Sequence, residues 1–235
     1  GKSAFTGPEI KGKTLGVVGL GAIGILVANA AKSLGMQVYG YDPYLSVDAA
    51  WSLSRDIKHA TSLDDIFAKS DYITVHVPLT EETRGLISKA SIAKMKDGVR
   101  IVNFARGDLV NSKDILEALQ NGKVAAYATD FPSDELIGES GVIAIPHLGA
   151  STPESEDNCA AMAADELKDY LEEGVIRNSV NLPNVVLPRS ADTRICLIHK
   201  NVPSMLNQIT ATLTEKNVNI DNMINKSLSL IHISE

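Results

Sequence analysis

Short apolar runs alternate with helix-period stretches through the first 150 residues of this chain. Leu15-Gly16-Val17-Val18 reads as a buried strand, and Ala22 to Ser33 reads as a helix stopped by Gly35. Gln37 to Tyr41 is a second strand. Ser62, with Asp65 three residues on, makes a capping-box-like start for a helix ending near Lys69. Tyr72 to Val77 is a strand ended by Pro78, and Ser88 caps a short helix that closes before Gly98. Val99 to Phe104 is a strand, Ser112 caps a helix through Gln120, and Gly122 terminates it. Lys123 to Thr129 and Val142 to Ile145 complete the strands of this series. Strands apolar almost throughout, separated by helices, predict an α/β fold: a doubly wound parallel sheet covered on both faces. Ligands of such sheets bind beyond the carboxyl ends of the strands. A candidate functional residue should therefore lie just past a strand.

After Pro153 the pattern changes. Glu154 to Glu173 predicts one long helix stopped at Gly174, followed by a loop with Pro183 and Pro188. Thr193 to His199 is strand-like, Pro203 to Glu215 helical, and Val218 to Asn225 strand-like again. This reads as the opening β-α-β of a smaller α+β domain. The expected division is 1–152 for the sheet domain, 153–190 for a crossover helix and return segment, and 191–227 for the truncated second domain.

Composition narrows the chemistry. A formal charge of −7 opposes nonspecific binding to nucleic acid or to an anionic membrane. No apolar run is long enough to span a bilayer, and the amino end carries no signal pattern. Cys159 and Cys196, the only cysteines, have no metal-type spacing. They are expected to be buried or half-buried thiols of a cytoplasmic protein, and no metal site is expected.

Gly19-Leu20-Gly21-Ala22-Ile23-Gly24 stands between a predicted strand and a predicted helix. Gly19 permits a tight turn, Gly21 lets backbone approach a pyrophosphate, and Gly24 lets the helix pack close to the sheet. The first helical residues, Ala22 and Ile23, then offer free N–H groups and a positive dipole end to phosphate. Asp42 ends the next strand 18 residues after Gly24. A carboxylate there accepts both ribose hydroxyls of NAD and repels the 2′-phosphate of NADP. The expected domain is a Rossmann-type NAD-binding domain.

Oxidation of a secondary alcohol needs a base for the hydroxyl proton and a cation for the substrate's carboxylate and forming carbonyl. Arg106 follows the strand Val99–Phe104, and His147 follows Val142–Ile145. Asp134 and Glu135 lie in the loop after Lys123–Thr129. Arginine binds carboxylate with a planar fork. Histidine titrates near working pH, and a neighbouring carboxylate orients its ring. His76 has no acid/base partner in view and is read as positional, and His59 as a surface residue.

Five motifs then resemble, in order, those of the D-2-hydroxyacid dehydrogenases: Gly19 to Gly24, His76-Val77-Pro78-Leu79-Thr80, Asn103-Phe104-Ala105-Arg106-Gly107, Asp130-Phe131-Pro132, and Pro146-His147-Leu148-Gly149-Ala150-Ser151-Thr152. The resemblance implies that Arg106 binds and polarises substrate and that His147 is the acid/base with a carboxylate behind it. It also implies that Val77, Pro78, Ala105, Arg106, Asp130, His147, Gly149 and Ala150 touch the cofactor. That family usually has one more residue before the phenylalanine. Counting from Asp130 puts the acid on Glu135; counting from Phe131-Pro132 puts it on Asp134. Glu135 is preferred, because Asp130 at a strand end fixes the register better than a loop proline.

Arg194 to Pro203 resembles the start of an ACT regulatory domain, with His199 and Asn201 at its ligand-contact positions. That tail implies 3-phosphoglycerate as substrate and L-serine as effector; Asp157-Asn158-Cys159 and the long helix also resemble the bacterial phosphoglycerate-dehydrogenase branch, and the family resemblance implies a homo-oligomer through the cofactor domain. The alternatives are a glycerate- or lactate-type dehydrogenase, or a non-catalytic NAD-sensing protein on the same fold. The chain starts at Gly1, just before the first strand, and is expected to be a fragment lacking a substrate-binding half. Leu228 to Glu235 reads like a translated sequencing-library adapter and is expected to be non-native.

Overall fold

A computed structural model of the protein describes residues 6–227. The chain divides into two compact units, Gly1–Leu148 and Gly149–Glu235. The suspected foreign segment 228–235 lies outside the described residues.

The first unit is one sheet and the helices that cover it. In chain order its elements are β1 (Thr14–Val18), α1 (Ala22–Ser33), β2 (Gln37–Tyr41), α2 (Val47–Trp51), β3 (Lys58–His59), α3 (Leu63–Lys69), β4 (Tyr72–Val75), α4 (Lys89–Ala93), β5 (Val99–Asn103), α5 (Ser112–Gln120), β6 (Val124–Thr129) and β7 (Val142–Ala144). Seven strands pair in the order β3-β2-β1-β4-β5-β6-β7, every pair parallel. The order reverses between β1 and β4, the switch point at which doubly wound sheets leave a crevice.

Alternation along β1 shows why both faces are apolar. Leu15 and Val17 pack with Ile25, Ala28 and Ala31 of α1. Val18 joins the opposite cluster with Ile66, Ile73, Val75, Ile101 and Tyr127. Full burial of one such aliphatic side chain is worth about 1.5–3 kcal/mol.

The sequence pattern misses α2, β3 and a 3₁₀ turn at Gly107–Leu109. α2 is a short helix started by Ser46, whose hydroxyl accepts from Ala49 N at 3.1 Å. β3 is exposed and exists only through pairing of Lys58 and His59 with Tyr39 and Gly40 of β2. No apolar run announces a strand that a neighbour's hydrogen bonds create. The strands β4, β5 and β7 also stop before the apolar runs do. Two caps differ from expectation. Asn111, not Ser112, caps α5, its Oδ1 accepting from both Lys113 N and Asp114 N at 3.1 Å. Asp65 reaches back to Thr61, not to Ser62, while Ser62 does accept from Asp65 N.

His76 follows β4 and is half-buried. Its N–H donates to Val18 O at 2.7 Å, and its Nε2 shares a hydrogen bond with Thr74 Oγ1 at 3.0 Å. Burial pushes its imidazole below the ordinary 6.5. His59 is exposed, as expected.

The second unit holds α6 (Pro153–Glu173) and α7 (Met205–Glu215). Thr152 caps α6, and Gly174 ends it in a left-handed conformation, φ 62°. The expected strands 193–199 and 218–225 are not formed: neither run has ladder pairing, and a strand needs a partner to exist. Arg194 instead fastens the first run by donating to the carbonyls of Glu173 and Leu187. The boundary expected near residue 190 falls inside this unit. Cys159 and Cys196 are both exposed rather than buried, in keeping with an α6 that buries none of its residues. Among the described residues no helix is long and apolar enough to cross a membrane.

Two predictions follow from the packing. Ile101→Ala empties a site 1% exposed and should cost about 2–5 kcal/mol in urea unfolding. Leu26→Ala, on a side chain 69% exposed, should stay within about 0.5 kcal/mol. The second concerns pH. The unfolded imidazole of His76 takes a proton near 6.5, and the folded one only at lower pH. Its contribution is complete above the unfolded value and is lost as pH falls through the folded value. Chemical unfolding at steps between about pH 7 and pH 5 should give a shallower loss of stability in His76→Gln than in the parent.

Candidate active site

The glycine loop is shaped by close backbone approach. Gly19 has φ +91°, and a Cβ there would lie 2.6 Å from His76 O. A Cβ on Gly24 would lie 1.9 Å from Gly19 O, so α1 packs against the loop only without one. Gly21 is different, because nothing lies within 4 Å of its Cβ position. That open side is where a ligand's phosphates can approach backbone. Gly21, Ala22 and Ile23 are exposed, and the first turn of α1 carries no acidic residue. The unpaired N–H groups of the helix start therefore keep their attraction for anions.

Asp42 stands one residue past β2 and does work that spacing alone does not reveal. Its Oδ2 accepts from Leu20 N and its Oδ1 from Tyr44 N, both at 2.8 Å. The carboxylate thus ties the glycine loop to the end of β2. Each oxygen retains a lone pair for a further donor. Val77 stands opposite, its Cγ1 2.9 Å from the Cβ position of Gly19. The Pro78 carbonyl accepts from Thr83 Oγ1 at 2.6 Å, so the loop after β4 is closed by a threonine that the sequence did not single out.

Arg106 is positioned from below by Asn103, the last residue of β5 and fully buried. Asn103 Nδ2 donates to Arg106 O at 2.9 Å and to Tyr127 Oη at 3.3 Å, and its Oδ1 accepts from Ala105 N at 3.2 Å. One amide therefore holds both sides of the Ala105–Arg106 peptide. Its signal in the sequence is the polar end of an apolar strand, Asn103 after Val99 to Val102. The Arg106 side chain is exposed, donates to Ala105 O at 2.8 Å, and is paired with no carboxylate among the described residues.

β6 and β7 bring the other groups together. Their register sets Thr129 beside Ala144, and Ile145 N donates to Thr129 O at 3.0 Å. Asp130 and His147 follow at the same edge, and His147 Nδ1 lies 2.7 Å from Asp130 Oδ2. The ring of Phe131 stands between the two expected catalytic side chains. His147 packs on it with centroids 4.4 Å apart, and the Arg106 guanidinium carbon lies 5.8 Å from its centre.

The carboxylate bonded to His147 is thus neither of the two expected from the sequence. Asp134 and Glu135 are exposed, in a turn pinned by buried Leu136, and neither is hydrogen-bonded to the imidazole among the described contacts. Asp130 stands directly at the strand end and is within reach; an acid four or five residues on has left the sheet edge. Gly149 and Ala150 open the second unit, Ala150 with φ 65°. In that unit His199 lines a cavity of about 430 Å³ with Leu197, Leu206 and Ile220, and its Nδ1 lies 2.9 Å from Lys200 O. Asn201 is not among the residues lining that cavity.

Comparison with known proteins gives this geometry a lineage. D-3-phosphoglycerate dehydrogenase of Bacillus subtilis (strain 168) is 42% identical over 188 residues, 77% of this chain and 35% of that protein. Its counterpart in Mycobacterium leprae is 38% identical over 222 residues, 91% of this chain and 42% of that protein. The chain therefore spans roughly a third to two fifths of the length of these curated relatives. Among solved structures, a glyoxylate reductase from Paecilomyes thermophila superposes with TM-score 0.65 at 32% identity, over 73% of this chain and 53% of that one. The apo-structure of D-lactate dehydrogenase from Escherichia coli gives TM-score 0.64 at 32% identity, over 74% and 55%. The profile for the D-isomer specific 2-hydroxyacid dehydrogenase NAD binding domain matches residues 1–149. With the glycine crevice, Asp42, Arg106 and His147 gathered at the carboxyl edge of that same stretch, the chain belongs to the D-isomer specific 2-hydroxyacid dehydrogenase family.

Proposed function

We propose that this chain is the cofactor-binding part of an NAD-dependent D-3-phosphoglycerate dehydrogenase, which oxidises C2 of 3-phosphoglycerate to give 3-phosphohydroxypyruvate. The observation that carries this reading is the placement of Arg106 and His147 against one ring, Phe131, beyond the ends of β5 and β7. The substrate choice is supported by relatives 38–42% identical that are named D-3-phosphoglycerate dehydrogenases.

The residues present fit NAD. Gly21 leaves open space for a pyrophosphate at the start of α1, and Asp42 has lone pairs left for ribose hydroxyls. Asp130 Oδ1 is buried without a hydrogen-bond partner, which suits an amide N–H of a carboxamide. Val77, Pro78 and Ala105 supply walls on neighbouring loops. NAD, when bound, supplies the acceptor for the hydride from C2.

The protein's own groups do the remainder. Arg106 offers its fork to the substrate carboxylate and polarises the C2 oxygen. His147 takes the hydroxyl proton on Nε2 as the hydride departs. Removing the proton raises electron density on the oxygen and so expels the hydride. The polarised carbonyl that forms is stabilised by the same guanidinium. We further read residues 191–227 as an ACT-like regulatory segment in which His199 and Asn201 contact L-serine, and the whole protein as a homo-oligomer; the cavity beside His199 supports the former.

Arg106→Ala and His147→Ala in the full-length gene product should each lower kcat/KM for 3-phosphoglycerate by about 10²–10⁴-fold. Turnover near the parent's in both would refute the reading. Arg106→Lys should not restore it, because a point charge lacks the fork. Asp42→Ala should weaken NAD about ten- to a hundredfold by calorimetry and narrow the preference over NADP, since a charged acceptor is worth about 1.5–3 kcal/mol.

A further inference from the structure

We infer that residues 80–87 are a strap holding the turn that carries Arg106, and that Arg84 and Asp108, paired across the seam, are positioning residues for the Arg106 fork. That role rests on the reading of Arg106 as the group that binds the substrate carboxylate.

The turn after Arg106 has little of its own to hold it. Gly107–Leu109 is a single turn of 3₁₀ helix, closed by Leu109 N donating to Arg106 O at 3.3 Å and Val110 N donating to Gly107 O at 3.1 Å. Hydrogen bonds in such turns have poorer geometry than those of an α-helix. Two neighbours support it. On the β6 side Gly107 lies close to Phe131, and a Cβ there would stand 3.2 Å from Phe131 O. On the β4 side the strap runs alongside. Gly85 N donates to Asp108 O at 2.8 Å, Ile87 N to Leu109 O at 2.9 Å, and Asn111 N to Ile87 O at 2.8 Å. Ile87 and Leu109 are fully buried, so that end of the seam is anchored in the core.

The other end of the seam is closed by charge. Arg84 Nη1 donates to Asp108 Oδ2, and the two side chains are 51% and 63% exposed. Asp108 stands two residues after Arg106, and Arg84 follows Thr83, whose hydroxyl donates to Pro78 O at 2.6 Å. One strap therefore ties the Pro78 wall of the cofactor site to the Arg106 turn. An exposed pair holds such a turn only part of the way. A turn released for some fraction of the time presents its fork less often, and apparent substrate affinity falls by that fraction. Substrate, once bound, reseats the turn. Loss of the pair should thus raise KM and leave kcat nearly unchanged.

Charge sets the direction of the effect. The substrate is an anion, so removing the Asp108 charge would lower KM if long-range attraction were its only consequence. In the full-length gene product, Asp108→Asn and Arg84→Ala should instead each raise KM for 3-phosphoglycerate about two- to fivefold, the range an exposed ion pair commands. Arg84→Lys keeps a cation at the seam and should keep KM near the parent's. Adding Asp108→Arg to Arg84→Asp should recover the KM lost in Arg84→Asp alone. Lys94→Ala breaks an equally exposed pair, with Asp64, away from this edge and should leave KM unchanged. Amide hydrogen exchange reads the turn without turnover: Leu109 N–H should exchange faster in Asp108→Asn and Arg84→Ala, with Ile101 N–H in β5 unaltered. A lowered or unchanged KM in Asp108→Asn, a loss confined to kcat, or unaltered exchange at Leu109 in both variants would overturn the inference. A parent enzyme that does not oxidise 3-phosphoglycerate would overturn the substrate reading instead, and exchange at Leu109 would still decide the strap.

Discussion

Parallel pairing is the constraint from which the rest of this protein follows. Seven strands that all run the same way end at the same edge, and every return crossing must travel over a face of the sheet. The helices on those crossings bury both faces of the central strands β1, β4 and β5. Polar chemistry is thereby driven to the one place where chain leaves the sheet. The glycine loop, Asp42, His76, Arg106, Asp130 and His147 all stand within a few residues of a carboxyl strand end.

The edge is not a set of loose loops. Each is tied to the layer beneath it by a polar group that burial leaves few choices. Asn103 bonds to Ala105, Arg106 and Tyr127 at once. Asp42 joins the glycine loop to the end of β2, and Thr129 turns the chain at Asp130. A buried donor or acceptor without a partner costs about 1–3 kcal/mol, so these contacts define one loop geometry sharply. Preorganisation of that kind is what lets an arginine and a histidine from different crossings meet on one aromatic ring.

The second unit shows what happens where that constraint is absent. Its apolar runs 193–199 and 218–225 have composition suited to strands, yet no ladder pairs them in the described chain. Their apolar side chains gather with those of α7 around a cavity instead. Cys196, on the first of these runs, is exposed rather than sheltered. Local propensity without a pairing partner does not make a sheet.

The sequence by itself determined the α/β class, the parallel strand series, the glycine turn, and the strand ends that carry Arg106 and His147. These are properties of apolar period and of residues whose backbone or charge has few substitutes. It did not reveal β3, which only β2 creates, nor Asn111 as the cap of α5. It also did not identify the partner of His147. Counting along the loop led to Glu135 or Asp134, but the carboxylate in contact is Asp130. Spacing measures distance along the chain, whereas a hydrogen bond measures distance across it. The register of β6 against β7 converts one into the other, and that register exists only in the folded sheet.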